Sequence, residues 1–328
     1  MYQDPVNSAE TLRGCPYKVM PKTDAPTNRV RMAPPPSFAQ SRVATPEDRT
    51  VAWTFLQGLA TEVSKGTVNL PCFPDVVVRI RKALDDPDAQ FAQTVKIVGT
   101  EPRLAARLLQ TANSAVFNPS GRQVTELRTA ITRLGTRLVQ SSVMAFAVQQ
   151  LRLAPSLRSI GKPLHSLWEE SVAVAAICQV IARRTSVNPD EAFLTGLLHG
   201  IGRLYIMVRA TSSREKVRID RSLLEMIDSW HPSIGKAVLE NWGFSEAMAE
   251  AVANQFDYEY GAKSAADHSD ILIASVILAA ALRDPRARSV DIGAIKSFHR
   301  LSLAAEECRA ILRHTHHHIA ALRSALGC

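Results

Sequence analysis

The sequence predicts an all-α protein of many helices arranged in two subdomains. Three observations predict it. Apolar residues recur at helical spacing almost without interruption from Pro46 onward, caps and first-turn prolines punctuate that pattern, and no stretch shows sustained two-residue alternation bounded by turns. Thr100 and Glu101 stand ahead of Pro102, a good first-turn proline, and Leu104, Leu108, Leu109 and Ala112 then share a face. Gly135 interrupts AITRLGTRLVQSSVMAFAV, so one helix should end there and another begin. Residues 164–182 form a long apolar-rich helix. In NPDEAFLTGLLHGIGRLYIMV, Asn188 is the cap and Pro189 the first turn. HPSIGKAVLENWGFSEAMAEAVANQ predicts a helix opening at Pro232, a break at Gly243 and a second helix capped by Ser245.

Ahead of these elements, residues 1–48 hold eight of the eighteen prolines, with Pro34, Pro35 and Pro36 in a row and no apolar periodicity. A disordered arm is expected there, followed by an N-terminal helical subdomain over about 49–152 and a second over about 160–328. The longest uncharged apolar runs, 271–282 and 138–151, fall short of the ~20 residues a membrane helix needs and read as buried core helices. The first twenty residues, MYQDPVNSAETLRGCPYKVM, lack an apolar h-region, so no secretory signal is expected and cytoplasm is the default location.

The chain has 328 residues, 46% of them hydrophobic and 21% charged, an ordinary balance for a globular protein with a substantial core. Its net charge of +8 comes from arginines with acids interleaved. The densest basic stretch is Arg203, Arg209, Arg214, Lys216, Arg218 and Arg221, which reads as a solvated loop after a helix. Without aromatic interleaving beyond Tyr205, no nucleic-acid partner is expected. The cysteines, Cys15, Cys72, Cys178, Cys308 and Cys328, are odd in number with no CxxC spacing, which argues for reduced thiols.

Catalytic templates mostly fail. GIGRLY lacks the third glycine of GxGxxG and follows a helix rather than a strand, GAKS lacks the upstream glycine of a phosphate loop, and no GxSxG occurs. RxxxR recurs at Arg103/Arg107, Arg133/Arg137 and Arg214/Arg218, too often to mark a cyclic dinucleotide site. In HTHHH, His314 shares a helical face with His317 and His318; that cluster is a polar helix face that could take up nickel or zinc adventitiously. The remaining candidate is GLLHGIGRLYI. On a continuous helix Phe193, Leu197, Ile201 and Leu204 form one stripe, with His199 and Arg203 on the far side, while Gly196, Gly200 and Gly202 permit close helix approach or an irregular helix. A metal-dependent phosphohydrolase needs histidines and carboxylates converging from several helices, and an aspartate after His199 would complete one such pair; Gly200 stands there instead. TANSAVF breaks a helix. Asn113 and Ser114 there could bond nearby backbone or form a partner-contact loop.

Several blocks in one order resemble the HD-related output domain (HDOD) family, bacterial signalling modules similar to HD phosphohydrolases, over about residues 65–290. NLPCFPDVVVRIRKALDD resembles the family's opening, and IVGTEPRLAARLLQTANSAVF its Asp-Pro-x-Leu and Ala-Asn-Ser-Ala block, with Glu101 for the aspartate. LRTAITRLG resembles Ala-Ile-x-x-Leu-Gly, FLTGLLHGIGRLYI resembles Gly-Leu-Leu-His-Asp-Ile-Gly-Lys, and WHPSIGKAVLENWGF resembles the His-x-x-x-Gly and Trp-Gly segment. The resemblance implies an HD-like helical C-terminal subdomain. It also marks departures: Glu170 stands where active HD enzymes carry a metal-binding histidine, Gly200 for the aspartate, and Asn254 and Gln255 for a later histidine pair. Only His199 and His231 remain of the expected ligands.

The expectation that follows is a non-catalytic signal-transduction protein without cofactor, acting on a signalling protein partner and open to forming a homodimer. Possible ligand or partner contacts are Asn113, Ser114, His199, Arg203 and His231. One alternative is a nucleotide or cyclic-dinucleotide sensor using the vestigial cleft near Arg203. Another is a residual metal-dependent phosphodiesterase using His199, His231 and Glu170.

Overall fold

A computed structural model describes residues 46–68, 91–114, 117–118, 121–213, 217, 219, 221–261, 265–283 and 290–326, without some side chains inside helices. The described residues all fall within one compact unit. The expected disordered arm (except for 46–48), the block at 69–86 and the loop residues Arg214, Lys216 and Arg218 lie outside the described residues, as do the side chains of His316, His317 and His318.

Every regular element among the described residues is helical. In order they are α1 (Pro46–Ser64), α2 (Phe91–Gly99), α3 (Pro102–Ala112), α4 (Leu127–Leu153), a 3₁₀ turn (Pro155–Ile160), α5 (Gly161–Ala182), α6 (Pro189–Leu198), α7 (Ile201–Ser212), α8 (Arg221–Asn241), α9 (Glu246–Asn254), α10 (His268–Arg283), α11 (Lys296–Arg300) and α12 (Ala305–Leu326). No described helix is long and apolar enough to cross a membrane.

Local signals place many of these boundaries. Pro102 opens α3, and the Asn188 side chain accepts from the backbone N–H groups of Asp190 and Glu191 at the start of α6. At Gly135 the backbone leaves helical geometry (φ 74°, ψ 160°), so α4 is two helices joined at a kink. Gly243 ends α8 with φ 69°; its N–H bonds the Glu240 carbonyl and the next N–H, of Phe244, reaches back to Leu239. That is the six-to-one and five-to-two pairing of a glycine-terminated helix.

Two expectations are corrected. Pro232 does not open a helix; it lies inside α8, which starts at Arg221. The buried stripe Leu223, Ile227, His231, Ile234 and Val238 runs straight through the proline, and packing of that face outweighs one missing backbone hydrogen bond. Nor do residues 189–208 form one helix. α6 stops at Leu198 and α7 starts at Ile201, so His199 sits in a turn and is 2% exposed rather than lying on a far helical face.

α5 is the axis of the fold. Residues 170–182 are buried on every side, which is how an apolar helix in a core must sit. α6, α10 and α12 pack on α5, α7 on α8, α8 on α9, and α9 on α10. Helices from either side of residues 152–160 interleave: α1 packs on α8, and α12 touches α3 and α4. The α1–α8 contact is pinned by Asn241 donating to the Val63 carbonyl, at 3.2 Å.

Two glycines set the closest approaches. A Cβ on Gly196 would sit 2.7 Å from the Ala175 Cα on α5, and one on Gly202 would sit 2.0 Å from the His231 carbonyl oxygen and 2.6 Å from the Gly235 nitrogen on α8. Those neighbours are backbone atoms, which yield only if whole helices part. Gly202→Ala is therefore expected to cost about 3 kcal/mol or more. Gly58→Ala on α1, where a Cβ meets nothing within 4 Å, should be neutral or gain up to about 1 kcal/mol. Urea midpoints of the two variants check this; an unchanged midpoint for Gly202→Ala would refute the close α7–α8 crossing.

Candidate functional site

Five helices and one turn bring the candidate residues to one place. Glu170 projects from the middle of α5, His199 from the α6–α7 turn and Arg203 from the first turn of α7. Asp228 and His231 come from α8, Gln255 from the end of α9, and Arg283 is the last residue of α10. The Glu170 carboxylate is the centre, with its side chain only 6% exposed. Arg283 donates to one of its oxygens at 3.1 Å and stands 3.0 Å from the other. The Arg203 guanidinium lies 3.8 Å away and the His199 Nε2 3.9 Å away. The His199 Nδ1 is committed to the Gly196 carbonyl at 2.8 Å.

Arg203 also joins this centre to the surface. Its Nη2 donates to the half-exposed Asp228 at 2.8 Å and lies 3.3 Å from the His231 Nε2. Since a guanidinium can only donate, the His231 Nε2 is the acceptor and that ring is neutral. Burial, helped by Arg203 and His199, pushes His231 well below its ordinary 6.5. For Glu170 burial acts in the raising direction, but the His199 ring, Arg203 and Arg283 outweigh it and hold the carboxyl at about 2 against an ordinary 4.5.

The sequence pointed to Glu170, His199, Arg203 and His231, and the structure unites them. Gln255 belongs with them: it is wholly buried and its amide donates to the His199 carbonyl at 3.2 Å and to Val252 at 2.7 Å. Asn254 is only partly buried, at the end of α9. Asn113 and Ser114 serve backbone elsewhere. The Asn113 amide donates to Leu109 and Val124 carbonyls and accepts from the Val124 N–H, pinning residues 121–126 to the end of α3, while the Ser114 hydroxyl donates to Thr111. His314 is exposed on α12. Sequence reasoning missed Asp228 and Arg283. Arg283 had a legible signal: it is the cation closing the apolar run 271–282, at the end of a helix buried over 269–280.

Gly200 is packed rather than open. A Cβ there would sit 2.6 Å from the Leu167 Cδ1. The cavity beside it, lined by Leu164, Leu167, Trp168, Leu197 and Leu204 among others, measures about 20 Å³. That is room for about one water and not for a nucleotide.

Residues 70–258, more than half of the sequence, match the HDOD domain family. The chain belongs to that family. The HDOD fold is also what solved structures share with it. A Shewanella amazonensis protein whose name proposes a metal-dependent phosphohydrolase is 21% identical with a TM-score of 0.64, covering 84% of this chain and 99% of its own. An HDOD domain protein of unknown function from Geobacter sulfurreducens is 24% identical with a TM-score of 0.53, covering 84% and 97%. A Marinobacter aquaeolei protein whose name proposes a role in signal transduction is 20% identical with a TM-score of 0.55, covering 85% and 66%. An uncharacterised Treponema pallidum protein is 22% identical over 259 residues, 73% of this chain, but the chain spans only 48% of that relative's length.

The name of the first of these structures raises the question whether this HDOD cleft fits a divalent cation. It does not. Both Glu170 oxygens face Arg283, the His231 Nε2 faces Arg203, and Gly200 supplies no carboxylate. Among the described residues, no three His, Cys, Asp or Glu side chains converge as a ligand set.

Acid should reveal the cluster. Glu170 and His231 both have folded values below their unfolded ones, so the stability each contributes is complete above the unfolded value and lost on acidification. The His231 part fades as pH falls below 6.5, and the Glu170 part as it falls from 4.5 toward 2. The latter is worth roughly 3 kcal/mol at neutral pH. Urea midpoints from about pH 8 down to about pH 3 should decline in that order, and Glu170→Gln should flatten the lower part. A wild-type midpoint indifferent to acid would show that the carboxylate is not held as described.

Proposed function

We propose that this HDOD protein is a non-catalytic signal-transduction module of the cytoplasm that acts by contact with another protein. The observation that carries this reading is Gly200. The position following His199 has no side chain to bridge a cation, and the backbone there is packed against Leu167 beside a cavity of water size. Hydrolysis of a phosphodiester would need a polarising group and a positioned water, and the Glu170 carboxylate and the His231 Nε2 are taken up by Arg283 and Arg203. The HDOD assignment and the signalling name of one structural neighbour support a regulatory role.

Purified, untagged protein should hydrolyse neither bis(p-nitrophenyl) phosphate nor cyclic dinucleotides with manganese present. Turnover that disappears in His199→Ala would overturn the proposal. Affinity capture from the source cell should return a signalling protein whose retention survives His199→Ala.

Restoring an aspartate should not restore activity. Gly200→Asp pushes a carboxylate against Leu167, and an unpaired buried carboxylate either costs several kcal/mol or stays protonated. Its urea midpoint at neutral pH is expected to fall, with no phosphodiesterase gained. An unchanged midpoint would mean that the cleft opens freely to water.

A further inference from the structure

We infer that Arg203 and Arg283 are the resident cations of this fold, joining by charge around Glu170 the helices that a metal centre would have to join. Such a charge cluster would constrain how the core helices are held whether or not the module binds a partner.

Glu170 lies near the midpoint of the most buried helix, and an ionised carboxylate in such a place is untenable alone. Arg283 covers both its oxygens at 3.1 and 3.0 Å, a two-point contact that a planar guanidinium makes and an ammonium does not. Arg203, only 18% exposed, brings the second positive charge to 3.8 Å. It spends its Nη2 on Asp228 and on the neutral His231 ring. Through these contacts α5, α7, α8 and α10 meet at one point. The same contacts take up the groups a divalent cation would need. A third cation brought into contact with Glu170 would face two guanidinium groups already there, and the lone pair of the His231 Nε2 points at one of them. Loading with metal is thus not available to this module as an input signal.

The test is a mutant cycle read by urea denaturation of the full chain. Arg203→Met with Arg283→Met leaves Glu170 buried with only the His199 ring, 3.9 Å away, beside it and should shift the folding equilibrium by about a hundredfold or more. Adding Glu170→Leu removes the stranded charge and should return most of that loss. The arginine double variant should also be less destabilised near pH 5 than near pH 7, because protonating Glu170 then relieves it; a purely steric defect would not depend on pH. Wild-type midpoints should be the same in EDTA and in millimolar manganese. Should the double variant not fold, the single Arg283→Met and its combination with Glu170→Leu complete the same cycle. Strict additivity, or a wild-type midpoint raised by manganese, would overturn the inference. Hydrolytic activity with these results intact would overturn the proposed function alone.

Discussion

One buried negative charge constrains the rest of this structure. Glu170 sits in the middle of α5, the helix on which α6, α10 and α12 pack, and a carboxylate there cannot be solvated by water. Its partners must come from the surrounding helices, and those helices must therefore hold fixed positions and register. Arg203 has to lie in the first turn of α7 and Arg283 at the very end of α10. A buried ion pair is not in itself a source of stability, because desolvation takes back much of the attraction. Its effect is geometric. Breaking it strands a charge, so arrangements of these helices that separate the partners are penalised.

Glycines supply the complementary constraint. Gly196 lets α6 approach the backbone of α5, and Gly202 lets α7 lie against the His231 carbonyl and Gly235 of α8. Between them falls the turn at His199 and Gly200, which directs the His199 ring toward Glu170 and starts α7 so that Arg203 follows it into the cleft. The close crossings and the ion cluster are one arrangement. A side chain at Gly202 would move α8, and with it His231 and Asp228, away from Arg203.

Local chemistry was legible in the sequence because it depends on neighbours along the chain. The Asn188 cap, Pro102 at a first turn, and the breaks at Gly135 and Gly243 are decided within a few residues, and they appear as expected. Pro232 misled because its cost is local while the gain from burying Leu223, Ile227, Ile234 and Val238 on one continuous face is tertiary. The candidate site was half legible. His199, His231 and Glu170 were singled out by resemblance, but the contact that neutralises Glu170 comes from Arg283, 113 residues away. No periodicity or spacing carries that pairing. Only the position of Arg283, the first charge after the uncharged run 271–282, hinted that a buried acceptor waited for it.

Charge balance relates the residues of the cleft to one another. The cleft holds two carboxylates, Glu170 and Asp228, and two guanidinium groups, Arg203 and Arg283, with a neutral His231 beside them. The two carboxylates are matched in number by the two guanidinium groups, with the His199 ring also beside Glu170. An aspartate at position 200 would add an uncancelled negative charge and call for another cation, whereas glycine leaves the balance intact and lets Leu167 pack against the turn. Gln255 fits the same logic, since a neutral amide bonds the His199 carbonyl without adding charge. The arrangement is not free of cost: the Arg203 Nε, the His231 Nδ1 and the Gln255 Oε1 are buried without a hydrogen-bond partner among the described residues. Each such atom forfeits about 1–3 kcal/mol. Three unsatisfied atoms beside a fully paired carboxylate show that pairing the buried charge takes precedence here over filling the hydrogen bonds at its periphery.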